Sequence, residues 1–261
     1  MKTNNTKRQI ISVSRRTDIP AFYADWFINR IRQGYCTVVN PFNANQISYV
    51  SLKPEDVQAF VFWTRNPKPL MQFLPELDKL GYKYYFQYTL IGYPREIDAK
   101  SPAVSIAIQT FQQLSEQIGK EKVVWRYDPI LFSNITSSEW HTKQIDMLFN
   151  KLHQFTKRLV ISFLDPYRKT QLRMQKETED TFHLRDDAFN PHAYKTISQY
   201  IGQMAKTFDI QVQSCAEEID LEAIGIKHGK CIDDDLIQRI TGENIGFRKD
   251  PSQRKPCGCV I

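Results

Sequence analysis

No apolar run in this 261-residue chain approaches the ~20 residues a bilayer crossing needs, so a membrane-spanning helix is excluded. The opening stretch Met1-Lys2-Thr3-Asn4-Asn5-Thr6-Lys7 has no apolar segment of signal-peptide type, and the cytoplasm is the expected compartment. Glycine is scarce, with 10 residues, and no glycine-rich phosphate loop follows the first β-type run. That absence argues against a dinucleotide-binding fold. The histidines form no ligand motif: His141 and His153 fall on one face of an expected helix and read as surface residues, while His228, three residues before Cys231, is a lesser metal candidate. Paired C-x2-C motifs of the zinc-finger kind are missing, as is any internal sequence repeat.

What is present is aromatic and basic. Phenylalanine and tyrosine number 16 and 12, so much of the core is expected to be aromatic. The net charge of +6 is compatible with an anionic partner, such as a small anionic substrate or nucleic acid, and equally with a surface of solvated lysines.

Short β-type runs alternate with helical periodicity along most of the chain. Strands are expected near 9–14, 36–41, 59–63, 82–90, 122–127, 158–163 and 210–214, with helices near 22–31, 70–80, 101–117, 138–155 and 191–208. Residues 46–52 suit a hairpin arm, and 167–190 read as a charged excursion. This alternation predicts an α/β fold, specifically a full or partial β/α barrel of the TIM-barrel kind. Residues 1–225 would form the barrel. Residues 226–261 would be a cysteine-containing extension packed on its mouth.

In such a barrel the carboxyl ends of the strands converge on one face, where active sites lie. The polar punctuation at those ends then becomes one mouth. Arg15, Arg16, Arg65, Asn66 and Arg126 are candidates to bind an anionic substrate, since guanidinium groups grip carboxylates and phosphates in bidentate fashion. Asp18, Asp128 and Glu218 are candidate catalytic carboxylates, orienting those arginines or moving protons. Several of these residues also suit plain turns, as in Asp-Pro and Asn-Pro pairs.

Of five cysteines, four come late: Cys215, Cys231, and a C-x-C made by Cys257 and Cys259. Reduced thiols clustered in this way suit a metal better than a disulfide. Four thiolates would hold either zinc or an iron–sulfur cluster, a 4Fe–4S cluster included. Cys36 stands apart and reads as core.

Five motifs resemble one bacterial family: Ser12-Val13-Ser14-Arg15-Arg16-Thr17-Asp18-Ile19-Pro20, Phe62-Trp63-Thr64-Arg65-Asn66-Pro67, Trp125-Arg126-Tyr127-Asp128-Pro129, Ser214-Cys215-Ala216-Glu217-Glu218 and Lys255-Pro256-Cys257-Gly258-Cys259. The family is DUF1848, whose function is uncharacterised. Its members have a C-terminal cysteine cluster similar to the cluster-binding motif of radical S-adenosylmethionine enzymes. The resemblance therefore implies a radical SAM-like iron–sulfur enzyme on a full or partial β/α barrel, with S-adenosylmethionine as a further cofactor. Family members continue past the Cys-Gly-Cys into cysteines spaced C-x3-C-x2-C, and these 261 residues contain no such motif. A trimmed, truncated or divergent chain is expected, and S-adenosylmethionine chemistry belongs only to a chain that carries the tail. A zinc-stabilised nucleic-acid-binding or repair-type protein is the alternative, as is a barrel binding a small anionic metabolite. The oligomeric state is not legible.

Overall fold

A computed structural model describes residues 8–13, 16–40, 42–164, 184, 190–215, 221–243, 248–251 and 257–260. Among them the chain alternates strands and helices. β1 (Gln9–Val13) leads through α1 (Ile19–Phe22) and α2 (Ala24–Gln33) into a hairpin, β2 (Tyr35–Asn40) and β3 (Asn43–Ser51). Then follow β4 (Val57–Thr64), α3 (Lys68–Met71), α4 (Leu74–Lys79), β5 (Tyr84–Thr89), α5 (Val104–Ile118) and β6 (Val123–Ile130). The series ends with α6 (Ser138–Leu152), β7 (Arg158–Phe163), α7 (Pro191–Thr207), β8 (Gln211–Ser214), β9 (Lys227–His228) and α8 (Asp234–Thr241).

Seven strands form one sheet in the order β1-β4-β5-β6-β7-β8-β9, and every pair in it is parallel. Sequential order with a helix in most crossovers is what β/α patterning predicts. The expected barrel is the finer claim, and pairing does not establish it. The ladder runs from β1 to β9, and no pairing joins those two among the described residues. β9 is only two residues long and offers little edge to carry the ladder round. The established architecture is a mixed α/β fold around a parallel sheet flanked by helices. The runs at 36–41 and 46–52 form an antiparallel hairpin of their own, outside that sheet. The excursion at 167–190 lies almost wholly outside the described residues.

Period-two alternation sends successive side chains to opposite faces of the sheet. Phe60 and Phe62 of β4, Tyr84, Phe86 and Tyr88 of β5, Trp125 and Tyr127 of β6, and Leu159 and Ile161 of β7 meet the helices in one large core. Phe27 of α2 packs edge-on against Phe60 and Phe62, with ring centroids 5.4 Å away in both cases. Their neighbours Ala59, Val61, Tyr85, Val124 and Val160 point the other way. That second face is covered by the end of the chain: Cys231, Ile232, Leu236, Ile237, Cys257, Cys259 and Val260. Because both faces are covered, β4 and β5 are buried along almost their whole length, as parallel strands require.

Helix ends follow local chemistry. Side chains of Asp18, Ser137, Asn190 and Asp233 cap α1, α6, α7 and α8 by accepting from backbone N–H groups. The helix expected at 70–80 is split into α3 and α4, with Pro75 in the first turn of α4, where its missing N–H costs nothing. Ser101 does not cap α5, as its motif suggested. It donates to Asp98, and Ala103 occupies the cap position.

His141 is buried rather than on the surface. Its Nδ1 lies 2.7 Å from the Tyr127 hydroxyl and its Nε2 2.9 Å from the Leu131 carbonyl oxygen. Burial depresses its pKa from 6.5 to about 4. The unfolded chain therefore takes up this proton first as pH falls. The stabilisation is complete above the unfolded value and is lost as pH drops from about 6.5 towards 4, by up to about 3 kcal/mol. Urea titrations across that range should show a flatter decline for a His141→Gln variant than for the unmodified chain. In the aromatic core, Phe62→Ala should cost about 3–5 kcal/mol in the same assay, because the packed ring leaves a cavity.

Candidate functional site

Alternation places Arg126 and Asp128 of β6 on the sheet face opposite the helices, toward the carboxyl ends of the strands. Arg126 is 4% exposed and its guanidinium is surrounded. Nε donates to Asp128 Oδ2 at 2.8 Å, Nη1 donates to Cys231 Sγ at 3.0 Å, and Nη1 also lies 3.3 Å from Gln87 Oε1. The Trp63 ring closes one side, with its centroid 4.9 Å from the guanidinium carbon. Asp128 also takes the hydroxyl hydrogen of Ser162. Burial alone would discharge both groups. For Arg126 the charge of Asp128, with the hydrogen bond to Cys231, outweighs that cost and holds it firmly protonated. For Asp128 the Arg126 charge and the Ser162 hydroxyl outweigh it and hold the carboxyl below its ordinary range.

The four late cysteines converge beside this pair. Cys215 Sγ, just past β8, is 3.2 Å from Cys231 Sγ. Cys231 reaches Cys259 through its backbone N–H, and Cys259 reaches Cys257 in the same way. The four cysteines thus form a chain of contacts, 215–231–259–257. The sulfurs do not form a compact cluster, for no three of them lie within 4.8 Å of one another. Backbone N–H groups of Cys231 and Ile232 point at Cys259 Sγ, at 3.3 and 3.5 Å, and the Cys259 N–H points at Cys257 Sγ at 3.5 Å. The Cys259 thiol is shifted toward ionisation, first by its contact with Cys231 and also by the Ile232 N–H. The Cys215 thiol is pushed strongly up, first by its contact with Cys231 and then by burial. Cys231 sits at about 11, with Cys215 lowering it and Cys259 and burial raising it.

Sheet residues hold the extension in place. The Tyr85 hydroxyl and Gln87 Nε2 both donate to the Cys231 carbonyl oxygen, at 2.6 and 2.7 Å. Tyr85 accepts from the Asp233 N–H at 3.1 Å, and Asp233 also pairs with buried Arg158. The Val260 N–H donates to the Ile232 carbonyl at 3.2 Å, joining the last residues to this turn.

A pocket of about 220 Å³ opens nearby, lined in part by Arg65, Thr89, Tyr93, Arg95, Asp98 and Ser101. Arg65 pairs with Asp98 there. Its charge also acts on Asp128, which ties the pocket electrostatically to the Arg126 pair.

The structure thus brings together Arg126, Asp128, Cys215, Cys231, Cys257 and Cys259, with Arg65 next door. Asp18 is elsewhere employed. Its carboxylate accepts from the Ala21 N–H, the Thr64 hydroxyl and the Arg65 N–H, fastening α1 to the end of β4. Asn66 shapes the turn into α3 by accepting from the Lys68 N–H. Arg16 is exposed and reaches the Val39 carbonyl oxygen, 3.5 Å away. Arg15 and Glu218 lie outside the described residues. His228 Nδ1 is 3.3 Å from the Ser214 hydroxyl and is exposed.

Sequence reading missed Trp63, Tyr85, Asp98 and Asp233. Tyr85 was within reach, because it shares the face of Gln87 by simple alternation. Asp233 carried a helix-cap signal at the start of α8 but nothing that named Arg158 as its partner.

The family model of DUF1848, a domain of unknown function, matches residues 10–261. The chain belongs to the DUF1848 family. No curated protein matches this DUF1848 chain. Among solved structures, it is similar to a Bacteroides thetaiotaomicron VPI-5482 protein provisionally named an alpha-L-fucosidase, at 11% identity, covering 93% of this chain and 84% of that one. The TM-score is 0.33, too low for the resemblance to carry an argument about activity.

Truncating Arg126 would leave Asp128 as a buried charge without its partner. Arg126→Met should therefore destabilise the reduced protein by about 3–5 kcal/mol in urea unfolding. Adding Asp128→Leu in the same chain should restore most of that loss.

Proposed function

We propose that this DUF1848 chain is a thiolate-metal enzyme that acts on an anionic substrate at the carboxyl edge of its parallel sheet. In this reading the sheet is part of a β/α barrel, the compartment is the cytoplasm, and residues 226–261 form the extension that covers the mouth. The observation that carries the proposal is the contact chain of cysteines, with the nearest pair of sulfurs 3.2 Å apart, beside a buried Arg126–Asp128 pair.

The donor set fits a metal. Backbone N–H groups reach Cys257 and Cys259 and the Arg126 guanidinium reaches Cys231, so three of the four sulfurs have donors that would stabilise them as thiolates on a metal. A tetrahedral zinc site has sulfur–sulfur edges of about 3.8 Å, so a single ion needs modest separation of the closest pair and an inward move of the outer sulfurs. A cubane cluster needs a wider spread of the same ligands. Bound zinc would fasten the extension to the sheet, whereas an iron–sulfur cluster would supply an electron.

The chain's own residues do the rest. Cys215, Cys231, Cys257 and Cys259 hold the metal. Arg126 offsets the negative charge of the thiolates and is itself held by Asp128. Asp128, bonded to Ser162 and kept ionised by Arg126, orients that guanidinium. Arg65 faces the pocket and binds the anionic end of a substrate. At this site the nucleic-acid alternative is less favoured, because Tyr85 is fully buried and the Trp63 ring lies against Arg126, so neither offers a base a stacking surface.

Protein prepared without air should carry one metal centre per chain, either zinc or iron with sulfide and visible absorption. Cys231→Ser and Cys259→Ser should lose the metal, while Cys36→Ser should keep it. Chains that take up neither metal in stoichiometric amount, even after anaerobic loading, would sink the proposal.

A further inference from the structure

The pocket beside Arg65 lies between two segments that the fold pins in place. On one side the chain from Leu90 to Tyr93 is held by its own carbonyls and by a side chain. Trp125 Nε1 donates to the Leu90 carbonyl oxygen at 2.9 Å, Gln144 Nε2 to the Ile91 carbonyl oxygen at 2.6 Å, and the Tyr93 hydroxyl to the Pro129 carbonyl oxygen at 2.8 Å. Gly92 has φ 81° there, and a Cβ on it would strike Gln144 Nε2 and Val104 Cγ2. On the other side Arg95 clips the loop before α5, with Nη1 donating to the carbonyl oxygens of Ala99 and Ser101 at 3.0 and 2.5 Å. Asp98 accepts from Arg65 Nη1 and, at 2.7 Å, from the Ser101 hydroxyl. The cavity of about 220 Å³ between these walls is therefore preformed.

Its polar half is cationic and only partly used. Arg65 and Arg95 each commit Nη1, and Nε and Nη2 of both have no partner among the described residues. Asp98 is the single acid among the described lining residues, so two guanidiniums stand against one carboxylate and leave one net positive charge. The first turn of α5 adds to this. It lines the pocket through Val104, no side chain caps it, and the N-terminal end of a helix favours an anion. The other half of the wall is apolar, made by Leu90, Ile91, Pro102, Val104 and Ala107.

We propose that this pocket binds a small amphipathic monocarboxylate. The carboxylate takes the free guanidinium edges of Arg65 and Arg95, and the hydrocarbon body lies against the apolar wall. This names the class of anion, and it rests on reading the pocket as the substrate site. A carboxylate has two oxygens that match a guanidinium edge. Charge and size decide against other anions. A monocarboxylate neutralises the wall, whereas a phosphate ester brings about 1.5–2 negative charges to a single positive one. Orthophosphate would also bury none of the apolar half. A nucleotide is too large, since sites for drug-sized ligands begin at about 300 Å³.

Ligand-observed NMR titration of the full chain should give pentanoate a Kd of about 1 mM or below. Each buried methylene adds roughly fourfold, so acetate should bind at least about tenfold more weakly. Pentylamine should not bind, and orthophosphate should bind more weakly than pentanoate. Arg95→Gln should lose at least about tenfold in pentanoate affinity. Because Arg95 also clips the loop, Ala103→Asp provides a second test. An aspartate at this cap position supports the helix and sets a negative charge on the rim, so the chain should fold and pentanoate affinity should fall at least about tenfold. No saturable pentanoate binding below about 10 mM, acetate binding equally well, tighter orthophosphate, or unchanged affinity in Ala103→Asp would overturn the proposal. Metal content is a separate readout. A chain that carries its metal but ignores pentanoate overturns this inference alone, and one that binds pentanoate but takes up no metal overturns only the metal reading.

Discussion

A guanidinium buried in a protein must be answered by negative charge, and much of this fold's far side is arranged around that demand. Arg126 is committed to Asp128 on its own strand and to Cys231 from the end of the chain. The first partner is local and follows from alternation along β6. The second comes from over a hundred residues away and brings the extension with it. Removing Asp128 would strand a buried charge at a cost of several kcal/mol, and removing the Cys231 side chain would leave a buried N–H without its acceptor. The position of the C-terminal turn is therefore tied to the electrostatics of the sheet as well as to apolar packing.

The same turn satisfies other needs at once. The Cys231 carbonyl oxygen receives Tyr85 and Gln87, and Asp233 answers Arg158 while capping α8. Each of these buried groups thus has a partner on the element that buries it. This explains why a segment rich in polar residues can cover the inner face of a parallel sheet. Its apolar contribution, Ile232, Leu236, Ile237 and Val260, fills the space over Ala59, Val61 and Val160, where small side chains leave room. The thiols are brought together as part of this packing, and the site and the closure of the core share one set of contacts.

Much of the scaffold was legible residue by residue. Parallel strands buried on both faces read as continuous apolar runs, and Ala59-Phe60-Val61-Phe62-Trp63 is one of them. Helices announced themselves through spacing and caps, as with Asn190-Pro191. His141 was misread because a helix face defined by spacing alone does not say what packs on it, and Tyr127 with the Leu131 carbonyl completes its burial. Asp18 looked catalytic because it sits beside two arginines at a strand end. Its three hydrogen bonds come from the turn itself and from Thr64 and Arg65, partners that only the folded chain supplies.

Sequence by itself determined the alternation of strands and helices, the sharing of one face by Arg126 and Asp128, and the stock of four late cysteines. Those are local properties, set by side-chain periodicity and composition. Tertiary structure alone decided that Cys215 and Cys231 lie within 3.2 Å, that Arg126 turns toward a thiol, and that β2 and β3 pair apart from the main sheet. Such facts depend on contacts between distant segments. Their closure is governed by burial and charge compensation across the whole chain, and no local pattern encodes it.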